Sequence, residues 1–453
     1  MPNVVNILSS PLNVTTGQVY DILAAITANN PSATPGTKFT ATTSIAGVTI
    51  EVIGSGFTYS GGFVVTGAYT KSTIIQNGIR IVEFNYSPGI SIPALLNGIN
   101  AYATNGNRSI LDALYSAQPT TLNGGAGNDF LYGLGGVDIF NGNGGTDRLN
   151  GGAGNDIYNL SNGADIVTDS AGTDTITSTI TRSLAGYASI ENLTLLGATA
   201  INGTGNGLNN GLTGNSAVNT LTGAGGNDVL GGGTDSVVDF LIGGTGNDSY
   251  MLAGGNDSVS ETATGNIDTI VTTITRSLTT YTNIENLSLS GAAAINGTGN
   301  NGANLIIGNG ATNSLSGALG NDTLLGGAGN DSLNGGAGND SLTGGTGADK
   351  FIFTSALGSN NIDRINDYNL VDDRIHIDNA VFAGLAAGNL APGLFKSNPG
   401  GTATELDDRI IYNPNTGALI YDSNGSATGG TFQVFAIVVG SPDTLNAGDI
   451  FVI

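Results

Sequence analysis

The sequence predicts an all-β protein: a solenoid of short stacked coils, preceded by a small α+β cap and followed by a β-rich segment. Three observations carry that expectation. Seventy-four glycines in 453 residues, without the triplet period and proline content of collagen, mean repeated tight turns, and a hydrophobic content of 39% argues against disorder. A nine-residue repeat runs in register from 317 to 352 as GALGNDTLL, GGAGNDSLN, GGAGNDSLT and GGTGADKFI. A longer block is laid over it: TDTITSTITRSL at 173–184 returns at 267–278 as IDTIVTTITRSL, and SIENLTLLGATAINGTGN at 189–206 returns at 283–300 as NIENLSLSGAAAINGTGN, both offset by 94 residues. Two copies of one block imply a single stacked architecture over residues 122–353.

Residues 1–121 read differently. STIIQ and IRIVEF flank Asn77-Gly78, a strong hairpin signal, and VTIEVI alternates as a strand does. Thr15 with Gln18 opens an expected helix carrying Val19, Ile22, Leu23 and Ile26, and Ser91 with Pro93 opens another carrying Leu95, Leu96, Ile99 and Tyr102. In residues 354–453 the glycine repeat fades. IDRINDYNLVDDRIHID is followed by a hairpin, RIIYNPNTGALIYD, and the terminal DIFVI reads as a last edge strand.

The nonapeptide points to metal chemistry. Its glycines permit positive φ and close backbone approach, so carbonyl oxygens can turn inward while the Asp folds over them. The last three residues, x-apolar-x, make one short strand with the apolar side chain inside. Two units complete a coil, so units 18 residues apart stack and pair Asp322 with Asp340, Asp331 with Asp349, Asp129 with Asp147, and Asp138 with Asp156. A third stretch gives Asp228, Asp239, Asp248 and Asp257, with a two-residue slip after Asp228. Stacked carboxylates about 4.8 Å apart repel by roughly 3 kcal/mol per pair at an effective dielectric of about 20. A slot lined by such oxygens suits the six-to-eight-ligand shell of Ca²⁺ better than the compact octahedron of Mg²⁺. At the looser positions Asp165, Asp174, Asp239 and Asp257, ligand and plain turn residue are both open readings. Asn210, Asn219, Asn304 and Asn313 stand at the Asp position within GNGLNN, GNSAVN, GNNGAN and GNGATN. They keep the turn without its charge and imply coils that need no metal.

The repeats resemble those of RTX, or hemolysin-type calcium-binding, proteins. The resemblance implies a parallel β-roll with ligands from turn carbonyls and the Asp: Gly327, Gly329 and Asp331 in one turn, Gly336, Gly338 and Asp340 in the next. Carried along the repeat, the same set is Gly125, Gly127 and Asp129; Gly136 and Asp138; Gly145 and Asp147; Gly152, Gly154 and Asp156; Asp228; Gly244, Gly246 and Asp248; Gly320 and Asp322; and Gly345, Gly347 and Asp349. The ending DIFVI resembles the family's C-terminal type I secretion signal. Export by type I secretion machinery from a Gram-negative or cyanobacterial cell, to the exterior or the cell surface, is what the resemblance implies.

Composition narrows the function further. A net charge of −23 with only 12 Lys and Arg excludes nucleic acid as a direct partner and disfavours a bare anionic membrane. Only six of the 35 acidic residues are Glu, and the Asp excess sits beside glycine at regular places. No cysteine is present, which removes disulfides and thiol chemistry. MPNVVNILSS has no basic n-region, and no apolar run approaches the roughly 18 residues of a membrane span, so export without an ordinary signal peptide is expected. The one histidine, His376, lies in DRIHID; neither HExxH nor GxSxG occurs. Lys38, Lys71, Lys350 and Lys396 are scattered, and Arg182 and Arg276 sit at equivalent places of the two blocks, which suggests architecture. The expectation is a secreted, calcium-binding structural protein, not an enzyme, that self-assembles into a surface layer, filament or extracellular matrix. The alternatives are a calcium-dependent adhesin that binds cell-surface polysaccharide through residues 1–121, or a polysaccharide lyase or epimerase.

Overall fold

The computed structural model describes residues 120–453 apart from 125, 129, 134, 234–235, 255–256, 262–265, 282, 426–429, 441 and 443, and in residues 1–119 the backbone of five strands. The chain divides into two compact units, Met1–Gly223 and Ala224–Ile453. Among the described residues there is no α-helix, and the regular structure is almost all β.

The first unit begins with an antiparallel meander of Lys38–Thr42, Val48–Ser60, Phe63–Gln76 and Ile79–Ser91. Gln76 pairs with Ile79, leaving the two-residue connection expected at Asn77-Gly78. Those two residues, and the helices expected after Thr15 and after Ser91, lie outside the described residues. Asn3–Ile7 pairs antiparallel with Ile79–Ser91 and parallel with Thr120–Asn123, the first strand of the coils. From there Ile139–Asn141, Ile157–Leu160, Thr175–Ser178, Asn192–Leu195 and Gly211–Thr213 stack in parallel register. Phe130–Tyr132, Arg148–Asn150 and Ile166–Thr168 make a second parallel row.

The second unit repeats the plan. One row runs from Val229–Gly231 through Ser249–Leu252, Thr269–Thr272, Asn286–Leu289, Leu305–Ile307, Thr323–Ala328 and Ser341–Thr346 to Asp363–Ile365 and Phe432–Val438. The other runs from Arg276–Ser277 through Gly297–Thr298, Ser314–Leu319, Ser332–Ala337 and Lys350–Phe353 to Arg374–Ile377 and Ile450–Val452. Stacking therefore continues where the glycine repeat has faded. The terminal DIFVI is not an edge strand: Ile450–Val452 lies between Arg374–Ile377 and the short Gly388–Asn389. Its alternating Ile450 and Val452, both 0% exposed, face the interior as the repeat's own apolar residues do, and pairing of Gly388 with Val452 and Asn389 with Phe451 covers its outer edge.

Most of the short strands of the coils place an apolar side chain inside. Leu131, Phe140, Leu149, Tyr158, Ile176 and Leu193 are fully buried in the first unit, as are Leu230, Tyr250, Ile270, Leu324, Leu333, Leu342 and Phe351 in the second. Truncating one, such as Leu333→Ala, costs about 2–5 kcal/mol because the stacked neighbours cannot close the gap. Beyond the coils, Ile410–Asn413, Ala418–Asp422 and Phe432–Val438 form the expected hairpin and its partner. Phe353, Phe382, Tyr421 and Phe435 pack edge to face beside it at 4.9–5.3 Å between ring centroids.

Candidate metal centre

The local chemistry of the repeat sets the geometry of its turns. The second and fourth positions take positive φ: +103° and +117° at Gly327 and Gly329, +100° and +145° at Gly336 and Gly338, +98° and +140° at Gly345 and Gly347. Gly136, Gly145, Gly152, Gly154, Gly244, Gly246 and Gly320 do the same. Space is as restrictive as dihedral angle. A Cβ on Gly345 or Gly347 would fall on the carbonyl oxygen of Gly327 or Gly329 one coil earlier, and a Cβ on Gly145 on that of Gly127. The predicted turn carbonyls thus face the equivalent turn of the adjacent coil. Gly125 and Asp129 lie outside the described residues.

The aspartates form buried ladders. Asp138, Asp147, Asp156, Asp228, Asp248, Asp322, Asp331, Asp340 and Asp349 are at most 2% exposed. One carboxylate oxygen accepts from the backbone N–H of the residue at the same place one coil back: Asp156 Oδ1 from Asp138 at 2.7 Å, Asp248 from Asp228 at 2.7 Å, Asp340 from Asp322 and Asp349 from Asp331 at 2.8 Å, and Asp322 and Asp331 from Asn304 and Asn313 at 2.7 Å. The looser positions are rungs too. Asp165 accepts from Asp147, Asp174 from Asp156, and Asp257 from Asp239.

The second carboxylate oxygen has a different fate. Oδ2 of Asp156, Asp248, Asp322, Asp331, Asp340 and Asp349 is buried without a hydrogen-bond partner. It lies over the first glycine of its own repeat, where a Cβ would collide with it. At Gly317 and Gly326 the same space receives the carbonyl oxygen of Gly335 or Gly344 one coil on. Oxygens converge there with no donor between them. Burial raises these carboxyls, with Asp322 and Asp156 pushed up to about 7 and Asp349 to about 6 from 3.8. Buried oxygens lacking donors need a proton or a cation, and a slot of carboxylate and carbonyl oxygens fits calcium.

The asparagine turns lack that need. Asn210 Oδ1 accepts from the N–H of Asn206, and its Nδ2 donates to Glu191 O at 3.0 Å. Asn304 Oδ1 likewise accepts from Asn300 N–H at 2.7 Å. Asn219 and Asn313 repeat the pattern with Asn215 and Asn309, their amides donating to Ile201 O and Ile295 O at 2.6 Å. The partner asparagines at the second position are Asn206, Asn215, Asn300 and Asn309, which sequence reasoning passed over. Their signal is a G-N-x-x-x-N spacing present in all four quoted turns.

Other rungs were also missed. Asp268 accepts from Asp248, Asp363 from Asp340 and Asp373 from Asp349, at separations of 20, 23 and 24 residues. Glu191 and Glu285, reaching from one residue short of the frame, accept from Asp174 and Asp268 N–H at 2.8 and 2.9 Å. His376 is half-buried in its strand, its ring centroid 5.2 Å from that of Phe451, and burial lowers its pKa. Buried Arg182 donates to Asn162 O and to the Tyr187 hydroxyl; Arg276 meets the equivalent Tyr281 hydroxyl at 3.3 Å.

A family described as the RTX calcium-binding nonapeptide repeat (4 copies) matches residues 120–149, 135–167, 150–178, 239–259, 298–324 and 316–351. No curated protein matches the chain. Among solved structures, the AlgE6R3 subunit of the Azotobacter vinelandii mannuronan C5-epimerase is similar at 26% identity over 33% of this chain and 78% of its own, with a TM-score of 0.24. The extracellular lipase LipA of Serratia marcescens is similar at 13% identity over 99% of this chain and 85% of its own, with a TM-score of 0.21.

Proposed function

We propose that this chain, whose residues 120–178, 239–259 and 298–351 match the RTX calcium-binding nonapeptide repeat, is folded by calcium met outside the cell into a structural component of a surface layer, filament or matrix. The observation that carries this reading is the set of buried, donorless Oδ2 atoms at Asp156, Asp248, Asp322, Asp331, Asp340 and Asp349. Asp Oδ2 and the turn carbonyls of the adjacent coil would hold the ion, which neutralises charge that otherwise opposes stacking. Where cytosolic calcium is low the slots stay charged and the chain stays unfolded for type I export; millimolar calcium closes them. The duplicated block of 94 residues and the scattered basic residues support a building role over catalysis.

Circular dichroism and light scattering during calcium titration, with magnesium as control, test this. Folding on calcium alone, followed by assembly, is expected. A chain that folds equally in EGTA, or that stays monomeric with calcium at high concentration in sedimentation, overturns it. The N-terminal antiparallel sheet, unlike the coils in both pairing and pattern, favours a second reading as the recognition head of a polysaccharide-binding adhesin. Binding of calcium-loaded protein to a glycan array, lost when residues 1–121 are deleted, would support that reading; an array without binders rejects it.

A further inference from the structure

Two slots differ from the rest. One coil after Gly151, at the place of a repeat's first glycine, the chain carries Asp169; one coil after Gly243 it carries Glu261. A carboxylate thus enters where ordinary slots receive a backbone carbonyl. A Cβ on Gly151 would fall on Asp156 Oδ2, the Tyr158 hydroxyl and Asp169 Oδ2, and a Cβ on Gly243 on Asp248 Oδ2, the Tyr250 hydroxyl and Glu261 Oε1. Asp174 and Asp268 complete each group, whose ligand atoms lie within 4.8 Å of one another. Asp156 and Asp248 are each 1% exposed, and their Oδ2 atoms, aimed into these groups, have no hydrogen-bond partner.

We propose that Asp156–Asp169–Asp174 and Asp248–Glu261–Asp268 form a second class of calcium site, tighter than the glycine-lined slots and the first to fill, one in each compact unit. Three carboxylates replace the mixture of carboxylate and carbonyl oxygens, and calcium affinity rises with the charge of its ligands. Tyr158 and Tyr250 replace the leucine common at that position of the repeat, and their hydroxyls donate to Asp169 (2.5 Å) and Glu261. Each tyrosine positions an acid that stands where the repeat ordinarily has its first glycine. A plain tyrosine–carboxylate bond would need no third acid and no unpartnered oxygen. Both recur in the second copy, where 20 residues instead of 18 separate the outer aspartates.

The inference rests on calcium as the folding ion, and terbium separates the two questions. Terbium takes calcium's place at oxygen ligands and luminesces when an adjacent tyrosine is excited. In the calcium-free full-length protein the first two equivalents should yield most of the tyrosine-sensitised emission, displaced by calcium. In the variant D169N/E261Q that first phase should weaken roughly tenfold or more, while calcium still induces β structure by circular dichroism; D169E/E261D should keep the phase. An unchanged first phase in D169N/E261Q overturns the proposal. Full folding of the unaltered chain in EGTA overturns the folding role of calcium instead, and the terbium titration still decides the triads.

Discussion

Single residues in these turns are constrained by the coil next door as much as by their own backbone. Gly338 combines a φ of +145° with a Cβ position that falls on Gly320 O. Gly338→Ala should therefore cost about 2 kcal/mol or more at saturating calcium, read from chemical denaturation. Ala318 shows the milder limit, holding a φ of +82° in a native repeat. Ala318→Gly should relieve that strain and gain about 0.5 to 1 kcal/mol in the same assay, because αL costs an L-residue more than glycine's extra chain entropy. Charge matters equally. Asn313 donates to Ile295 O at 2.6 Å and Asn309 Oδ1 at 3.1 Å. Asn313→Asp replaces that donor with an acceptor facing two acceptors, so a loss of about 2–3 kcal/mol is expected. A neutral Asn313→Asp would refute the amide-closed turn.

At the scale of the element, what was legible followed the nine-residue period. The spacing fixed which aspartates stack, since Asp322 with Asp340 and Asp331 with Asp349 sit in unbroken frames, and it fixed the inward apolar residue of each strand. Asp363 and Asp373 were hidden because loops of five and six extra residues precede them, and Glu191 and Glu285 because a longer side chain makes good a frame one residue short. DIFVI was misread for a related reason: sequence gives a strand's apolar pattern but not whether a distant pair such as Gly388–Asn389 will cover its outer edge. The ladders also carry a pH dependence. Burial, ahead of every other cause, pushes Asp322 and Asp156 from 3.8 up to about 7 and Asp268 to about 6. Without calcium the folded coils hold protons that the unfolded chain has released. That stabilisation is complete below about pH 4 and is lost as pH rises through 7. Protons and calcium then compete for one oxygen, so calcium affinity should fall as pH drops from 8 to 5.5 while β structure in EGTA rises; isothermal titration and circular dichroism at the two pH values check both signs.

For the whole molecule, the acidic surplus has two possible physical meanings that salt can separate. A net charge of −23 spread over a surface would resist folding by diffuse repulsion, and any electrolyte would relieve it, since the screening length shrinks to about 3 Å at 1 M. The aspartates of the ladders are not on the surface: Asp147 and Asp331 are 0% exposed and Asp156, Asp228, Asp322 and Asp349 are 1% exposed. Screening by mobile ions does not reach groups sealed between coils, and a monovalent ion brings too little charge to offset two or three converging oxygens. One molar NaCl in EGTA at pH 8 should therefore leave the far-ultraviolet dichroism of the calcium-free chain nearly unchanged, whereas calcium at a few hundredfold lower concentration should produce the full β spectrum. Folding driven equally by NaCl would assign the acidic surplus to surface repulsion and remove the ladders from the mechanism. Retention of the calcium response in 1 M NaCl would mark the ions as bound within the stack, where the buried Oδ2 atoms of Asp322, Asp331, Asp340 and Asp349 have no hydrogen-bond partner.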